Sequence, residues 1–215
     1  LALIAETSDD GSQISSPAAL QALVTQSLLG ASLNIIRDYG ESVSNPAPTL
    51  TEYTNIGITT LNAAQVSGFN TFIGPLSVEA TNTVSEVSGL TQLYLSVLST
   101  AAGQVASPAL TAANLASLGI TGVTTDNLAA ILAAIAASAV NGSDVDTQTK
   151  LQDLVATAVS AFTAAITEIS AFNGTQTGAA VPDAQTFAQA GVTGVTSSNL
   201  AAINSVLAAV DTSAT

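Results

Sequence analysis

The chain has 215 residues, 47% of them apolar but only 4% aromatic, and 8% are charged against a usual share of about 25%. It carries two cations, Arg37 and Lys150, against 15 acids for a net charge of −13, and it lacks His, Cys, Met and Trp. That balance rules out a disulfide framework and thiol chemistry, leaves nothing to neutralise a nucleic-acid backbone, and disfavours anionic membrane surfaces. Solubility must rest on Ser, Thr, Asn and Gln, and the combination of few charges, acidity and hydroxyl richness points to a secreted or cell-surface protein. Alanine-lined helices approach closely but bury little area per layer, so stability comes from many small contacts.

In chain order, residues 1–47 read as part of a unit. Aligned without gaps, Leu1 matches Leu132, Gly11-Ser12 matches Gly142-Ser143, and Leu20 to Val24 matches Leu151 to Val155. This stretch supplies the end of one helix, a loop with Asp9 and Asp10, and a long helix reaching about Tyr39. Leu20, Leu23, Val24, Leu28 and Ile35 form its apolar stripe.

Residues 48–106 read as a complete unit. Thr49 is placed to cap a short helix, with Tyr53 at N4 and Gly57 at the left-handed position that ends it. Asn62 and Gln65 then open a second helix as a capping-box variant, and Val66, Phe69 and Ile73 step at helical spacing. Residues 107–181 repeat the pattern. Thr111 is the cap, Leu110 and Leu115 are spaced as a hydrophobic staple, Gly119 ends the helix, and Ile120 supplies the apolar contact beyond it. Thr124 is the second cap with Asn127 at N3, followed by Leu128, Ile131 and Ile135. A third, longest helix follows, with Leu151, Leu154, Val155, Ala158, Phe162, Ala165, Ile166, Ile169 and Phe172 on one face and Asn173-Gly174 as its stop. Residues 182–215 hold two helices of the same kind: Asp183 caps the first, Phe187 is at N4, Gly191 ends it, and Thr196 and Asn199 open a second with Leu200, Ile203 and Leu207.

These spacings predict an all-α chain of tandem three-helix-bundle repeats, each with a short, a medium and a long helix, forming an elongated array in the order half, whole, whole, half. The most apolar run, Leu128 to Val140, has 13 residues, too short for the ~20 that a membrane span needs. Val155 to Ala171 is longer but includes Glu168. Both read as buried helices, and no transmembrane segment is expected.

Chemistry is sparse. Without His or Cys, general acid–base work would fall to scattered carboxylates, which sit near predicted helix starts and loops and favour the positive end of the helix dipole. No catalytic residue and no enzyme activity are expected. One loop, Asn141-Gly142-Ser143-Asp144-Val145-Asp146, concentrates oxygen ligands, and its counterpart holds Asp9 and Asp10. Calcium takes such oxygens, whereas Asn-Gly and Asp-Gly are also ordinary turn formers, so a calcium site and an acidic turn are both open. Asn141 and Asn173 stand in glycosylation acceptor patterns. Arg37 and Lys150 do not align with each other and read as local pairing.

The phrases Tyr53-x-x-Ile56-Gly57-Ile58-Thr59, Leu115-x-x-Leu118-Gly119-Ile120-Thr121-Gly122-Val123-Thr124-x-x-Asn127-Leu128 and Phe187-x-x-Ala190-Gly191-Val192-Thr193-Gly194-Val195-Thr196-x-x-Asn199-Leu200 resemble the alanine-rich helical tandem repeats of large secreted or surface-attached bacterial adhesin-type proteins. The resemblance covers nearly the whole chain, and its motifs encode helix caps. It implies a cell-surface or extracellular structural role: a stalk, fibre or surface layer. The expected partners are copies of the chain or neighbouring repeats of a longer one. Association would run head to tail through Leu20, Leu23, Val24, Leu28 and Ile35 at one end and Leu200, Ile203 and Leu207 at the other. The competing expectation is a binding module that recognises a host protein or glycan through one helix face. It would be anchored by the aromatics of the first half, Tyr39, Tyr53, Phe69, Phe72 and Tyr94.

Overall fold

A computed structural model describes residues 16–172 and 179–209. All regular structure among them is helical: α1 (Pro17–Glu41), α2 (Leu50–Asn55), α3 (Ala63–Ile73), a 3-10 turn (Val78–Ala80), α4 (Val84–Ala101), α5 (Ala112–Ser117), α6 (Leu128–Ala136), α7 (Gln148–Ala171), α8 (Ala184–Gln189) and α9 (Leu200–Ala209). The chain is therefore all-α. It divides into two compact units, residues 1–94 and 95–215, with the boundary inside α4.

The three short helices end in the same way. Gly57, Gly119 and Gly191 take φ of +89°, +76° and +74°, a region only glycine enters without cost. The residue after each glycine then donates back across the turn: Ile58 to the Tyr53 carbonyl at 2.9 Å, Ile120 to Leu115 at 3.0 Å, and Val192 to Phe187 at 2.9 Å. Each glycine N–H closes the inner bond, to Thr54, Ala116 and Ala188. These paired bonds make a Schellman stop, which satisfies carbonyls the helix end would leave free. Ile58 and Ile120 are buried beneath their stops, but Val192 is exposed.

The starts are equally local. Thr49 and Glu52 form a full capping box, as do Asp183 and Thr186, while the Thr111 hydroxyl accepts from Asn114 N–H. Hydrogen bonds from the Thr49 hydroxyl and backbone outweigh burial and hold the Glu52 carboxyl below its ordinary range. Asp183 is lowered in the same way, chiefly by the Thr186 N–H. Asn62 and Gln65 form the expected box at α3. At α6 the regular helix begins at Leu128, later than the expected cap Thr124. The box bonds are nevertheless made, Thr124 N–H to Asn127 Oδ1 at 2.8 Å and Asn127 N–H to Thr124 Oγ1 at 3.3 Å. Asn127 also donates its side-chain amide to the Gly122 carbonyl at 2.9 Å, which folds these residues into a turn ahead of the helix. Asn199 does the same to Gly194 at 2.8 Å. Thr60 and Gln65 replace this glycine and asparagine at the first corner.

In the first unit, α1 packs on α2, on α3 and on the 3-10 turn. Its centre is aromatic. Tyr53 lies 5.4 Å from Phe69, and Tyr94 lies 5.5 Å from Phe69 and 5.4 Å from Phe72 between ring centroids, all tilted. The Tyr53 hydroxyl donates to Asn70 Oδ1 at 2.6 Å, and Asn70 Nδ2 donates to the Pro48 carbonyl at 2.8 Å. Burial pushes the Tyr53 phenol well above its ordinary pKa, so it stays a donor.

In the second unit, α7 packs on α6 and on α8. Its buried residues, Leu151, Val155, Ala158 and Ala165, follow the expected stripe, but Ile166 is exposed and Phe162 only half-buried. The expectation of a buried helix holds only along one face of each: Ala130, Ile131 and Ile135 are covered on α6 while Ala129, Ala133 and Ala136 are exposed, and α7 is buried on its stripe alone. The outer face of α7 is lined with hydroxyls that turn back onto the helix: Thr157, Ser160, Thr163 and Thr167 each donate to the carbonyl four residues earlier. By length and composition alone, α1 and α7 are apolar enough to cross a membrane, with mean hydropathies of 1.4 and 1.5 over 18-residue windows.

Candidate functional site

The acidic loop between α6 and α7 spends its oxygens on itself. Asp144 Oδ2 accepts from Ala139 N–H at 2.9 Å, and Asn141 Oδ1 accepts from Ser143 N–H at 3.1 Å. Lys150 Nζ is bonded to both Asp146 Oδ1 and the Ser143 carbonyl at 2.8 Å. Gly142 is buried there, and a Cβ at this position would stand 2.8 Å from Leu98 Cδ2. The geometry is that of a closed turn with a built-in ammonium. Among the described residues no three acids lie close enough to share an ion. Asp9, Asp10 and the acceptor Asn173 lie outside the described residues, whereas Asn141 is exposed.

The chain's other cation is also engaged: Arg37 pairs with the adjacent Asp38 at 2.6 Å, both side chains well exposed. Such surface pairs contribute little to stability. The aromatics expected to anchor a partner are placed elsewhere. Tyr53, Phe69, Phe72 and Tyr94 are fully buried in the first unit, and only Tyr39 is half-buried. They come from four different helices and, Tyr39 apart, converge on the core, so four of the five are out of reach of a ligand.

The expected self-association residues lie differently. On α1, Leu20, Val24, Leu28 and Ile35 are exposed along one stripe and Leu23 is half-buried. On α9, Leu200, Ile203 and Leu207 are half-buried, and Ile203, Val206 and Leu207 line an apolar groove. A wider cleft of about 510 Å³ opens between α6, α7 and α8, floored by alanines with Asp153 as its one carboxylate.

One contact had no signal in local spacing. Gln152 of α7 grips the corner before α6 with both ends of its amide: Oε1 accepts from Thr121 N–H at 2.9 Å and Nε2 donates to the Thr121 carbonyl at 3.2 Å. Gln148 adds a bond to the Gly119 carbonyl at 3.3 Å. Comparison of the chain with protein-family models, curated proteins and solved structures finds no match.

Proposed function

We propose that the chain is a non-enzymatic, extracellular structural protein. In this reading it is built from tandem units of a short, a medium and a long helix, and it forms part of a stalk, fibre or surface layer by self-association through its helix faces. The observation that carries the proposal is the contrast between matched positions. Leu151 and Val155 on α7 are fully buried, while their counterparts Leu20 and Val24 on α1 are 43% and 39% exposed. The recurrence of one Schellman corner at Gly57, Gly119 and Gly191 supports a repeated unit. The bonding pattern of the acids supports a structural role, since the carboxylates of Glu52, Asp144 and Asp183 serve backbone N–H groups. The low charge, acidity and hydroxyl richness of the chain, with repeated phrases that resemble those of bacterial adhesin-type repeats, support the location.

Fractionation of the source cells tests the location. The protein should be found in the medium or on the surface, cleaved by protease added to intact cells. Release only on lysis would refute the proposal.

A further inference from the structure

Building on that reading, we infer that α9 of one molecule docks on the first half of α1 of a second copy, in the register in which α6 lies on α7. The α6–α7 interface inside the second unit is the template. Ile131 and Ile135 on α6 meet a helix whose Leu151 and Val155 are likewise fully buried. Both of its faces occur a second time, and each of these second faces is at least partly exposed. On α1, Leu20, Leu23 and Val24 repeat Leu151, Leu154 and Val155. On α9, Leu200, Ile203 and Leu207 repeat Leu128, Ile131 and Ile135, and Val206 beside them is 68% exposed.

A polar feature independently sets the same register. In the template, Gln152 grips Thr121 at the corner that precedes α6. Gln21 stands at the Gln152 position of α1, and Thr193 stands at the Thr121 position of the corner that precedes α9; both are exposed. Docking α9 on α1 brings Gln21 to Thr193 and also covers Val192, whose counterpart Ile120 is buried. Charge does not oppose the contact. In a chain of net charge −13, residues 17–36 and 200–209 carry no formal charge. Each molecule presents one face of each kind, so the contact is heterologous and propagates from copy to copy. The rival occupant of α1 is the chain's own residues 1–5, Leu-Ala-Leu-Ile-Ala, which echo Leu132–Ala136.

Sedimentation velocity on the full chain over a concentration series decides between them. Wild type should form a ladder of oligomers. Val24→Asp and Leu207→Asp should each be monomeric, while a one-to-one mixture of the two should form dimers and stop, because each variant keeps one working face. Dimer formation in the mixture also shows that both variants are folded. Gln21→Ala should weaken association by about tenfold, the loss of roughly one or two net hydrogen bonds. A wild type that stays monomeric at every concentration would overturn the inference, as would a single aspartate variant that still self-associates through like faces. A monomer found outside the cell would sink the docking and leave the extracellular location standing; a polymerising protein confined to the cytosol would do the reverse.

Discussion

Phe187→Tyr should stabilise the protein, because a buried acceptor lacks the donor that its counterpart has. In the first unit the Tyr53 hydroxyl serves Asn70 Oδ1, and Asn70 Nδ2 serves the Pro48 carbonyl. Asn204 holds the matching position on α9 and donates to the Pro182 carbonyl at 2.8 Å, but the residue matching Tyr53 is Phe187, and Asn204 Oδ1 is buried without a partner. At the middle position both members are apolar, Leu115 and Leu132, so no orphan arises. A buried unmet acceptor costs about 1–3 kcal/mol, and a net hydrogen bond contributes about 1 kcal/mol. Supplying the hydroxyl should therefore gain about 1 kcal/mol, on the order of 4 °C in the melting temperature of the second unit. Tyr53→Phe should cost the first unit about 1–2 kcal/mol by creating the same orphan. Calorimetry, with urea titration as a second measure, reads both changes. The decisive control is Asn204→Leu, in whose background Phe187→Tyr should gain nothing. An equal gain in both backgrounds, or no gain in a variant with native circular dichroism, would refute the reasoning.

The corner glycines provide a graded test. Gly57→Ala meets open space and should cost about 1–2 kcal/mol from backbone conformation alone. Gly191→Ala should cost more, since its Cβ would also press on Ala129 and the Ala130 backbone at 3.2 and 3.3 Å; equal melting temperatures for the two variants would contradict that packing. Asn127→Ala removes the bonds to Gly122 and Thr124 together and should lose about 1–2 kcal/mol by urea titration, with no change meaning that the turn holds without them. The caps should also respond to acid. Glu52 and Asp183 have pKa values lowered by folding, so their contributions are intact above the ordinary carboxylate pKa and fade as pH falls below about 4. Amide protection in the first turns of α2 and α8, taken relative to intrinsic exchange at each pH, should fall over that range and not above it; protection unchanged at pH 3 would argue against the boxes. In mid-helix, Gly89→Ala meets no neighbour and should gain about 0.5–1 kcal/mol in thermal melts, whereas a loss would mean that α4 needs the gap.

The stops at Gly57, Gly119 and Gly191 and the caps at Thr49, Asn62, Thr111 and Asp183 were legible in the sequence because their bonds span only a few residues. A glycine at a left-handed turn and a hydroxyl or carboxylate at a helix start act through local backbone sterics, and no distant residue is needed to specify them. The pairs Tyr53–Asn70 and Thr121–Gln152 join residues 17 and 31 positions apart, and no short pattern announces them. The acidic loop left two readings open for a related reason: the same oxygens that suit an ion also suit the N–H of Ala139 and the ammonium of Lys150.

The sequence by itself determined that this chain is helical, where its three short helices begin and end, and that it has little material for catalysis. Tertiary structure alone decided which apolar stripes are covered. Leu151 and Leu20 are the same residue in the same local phrase, yet one is fully buried and the other is 43% exposed. An apolar stripe records that a face can be buried. What buries it depends on the helix that arrives, and that is a property of packing, not of the stripe.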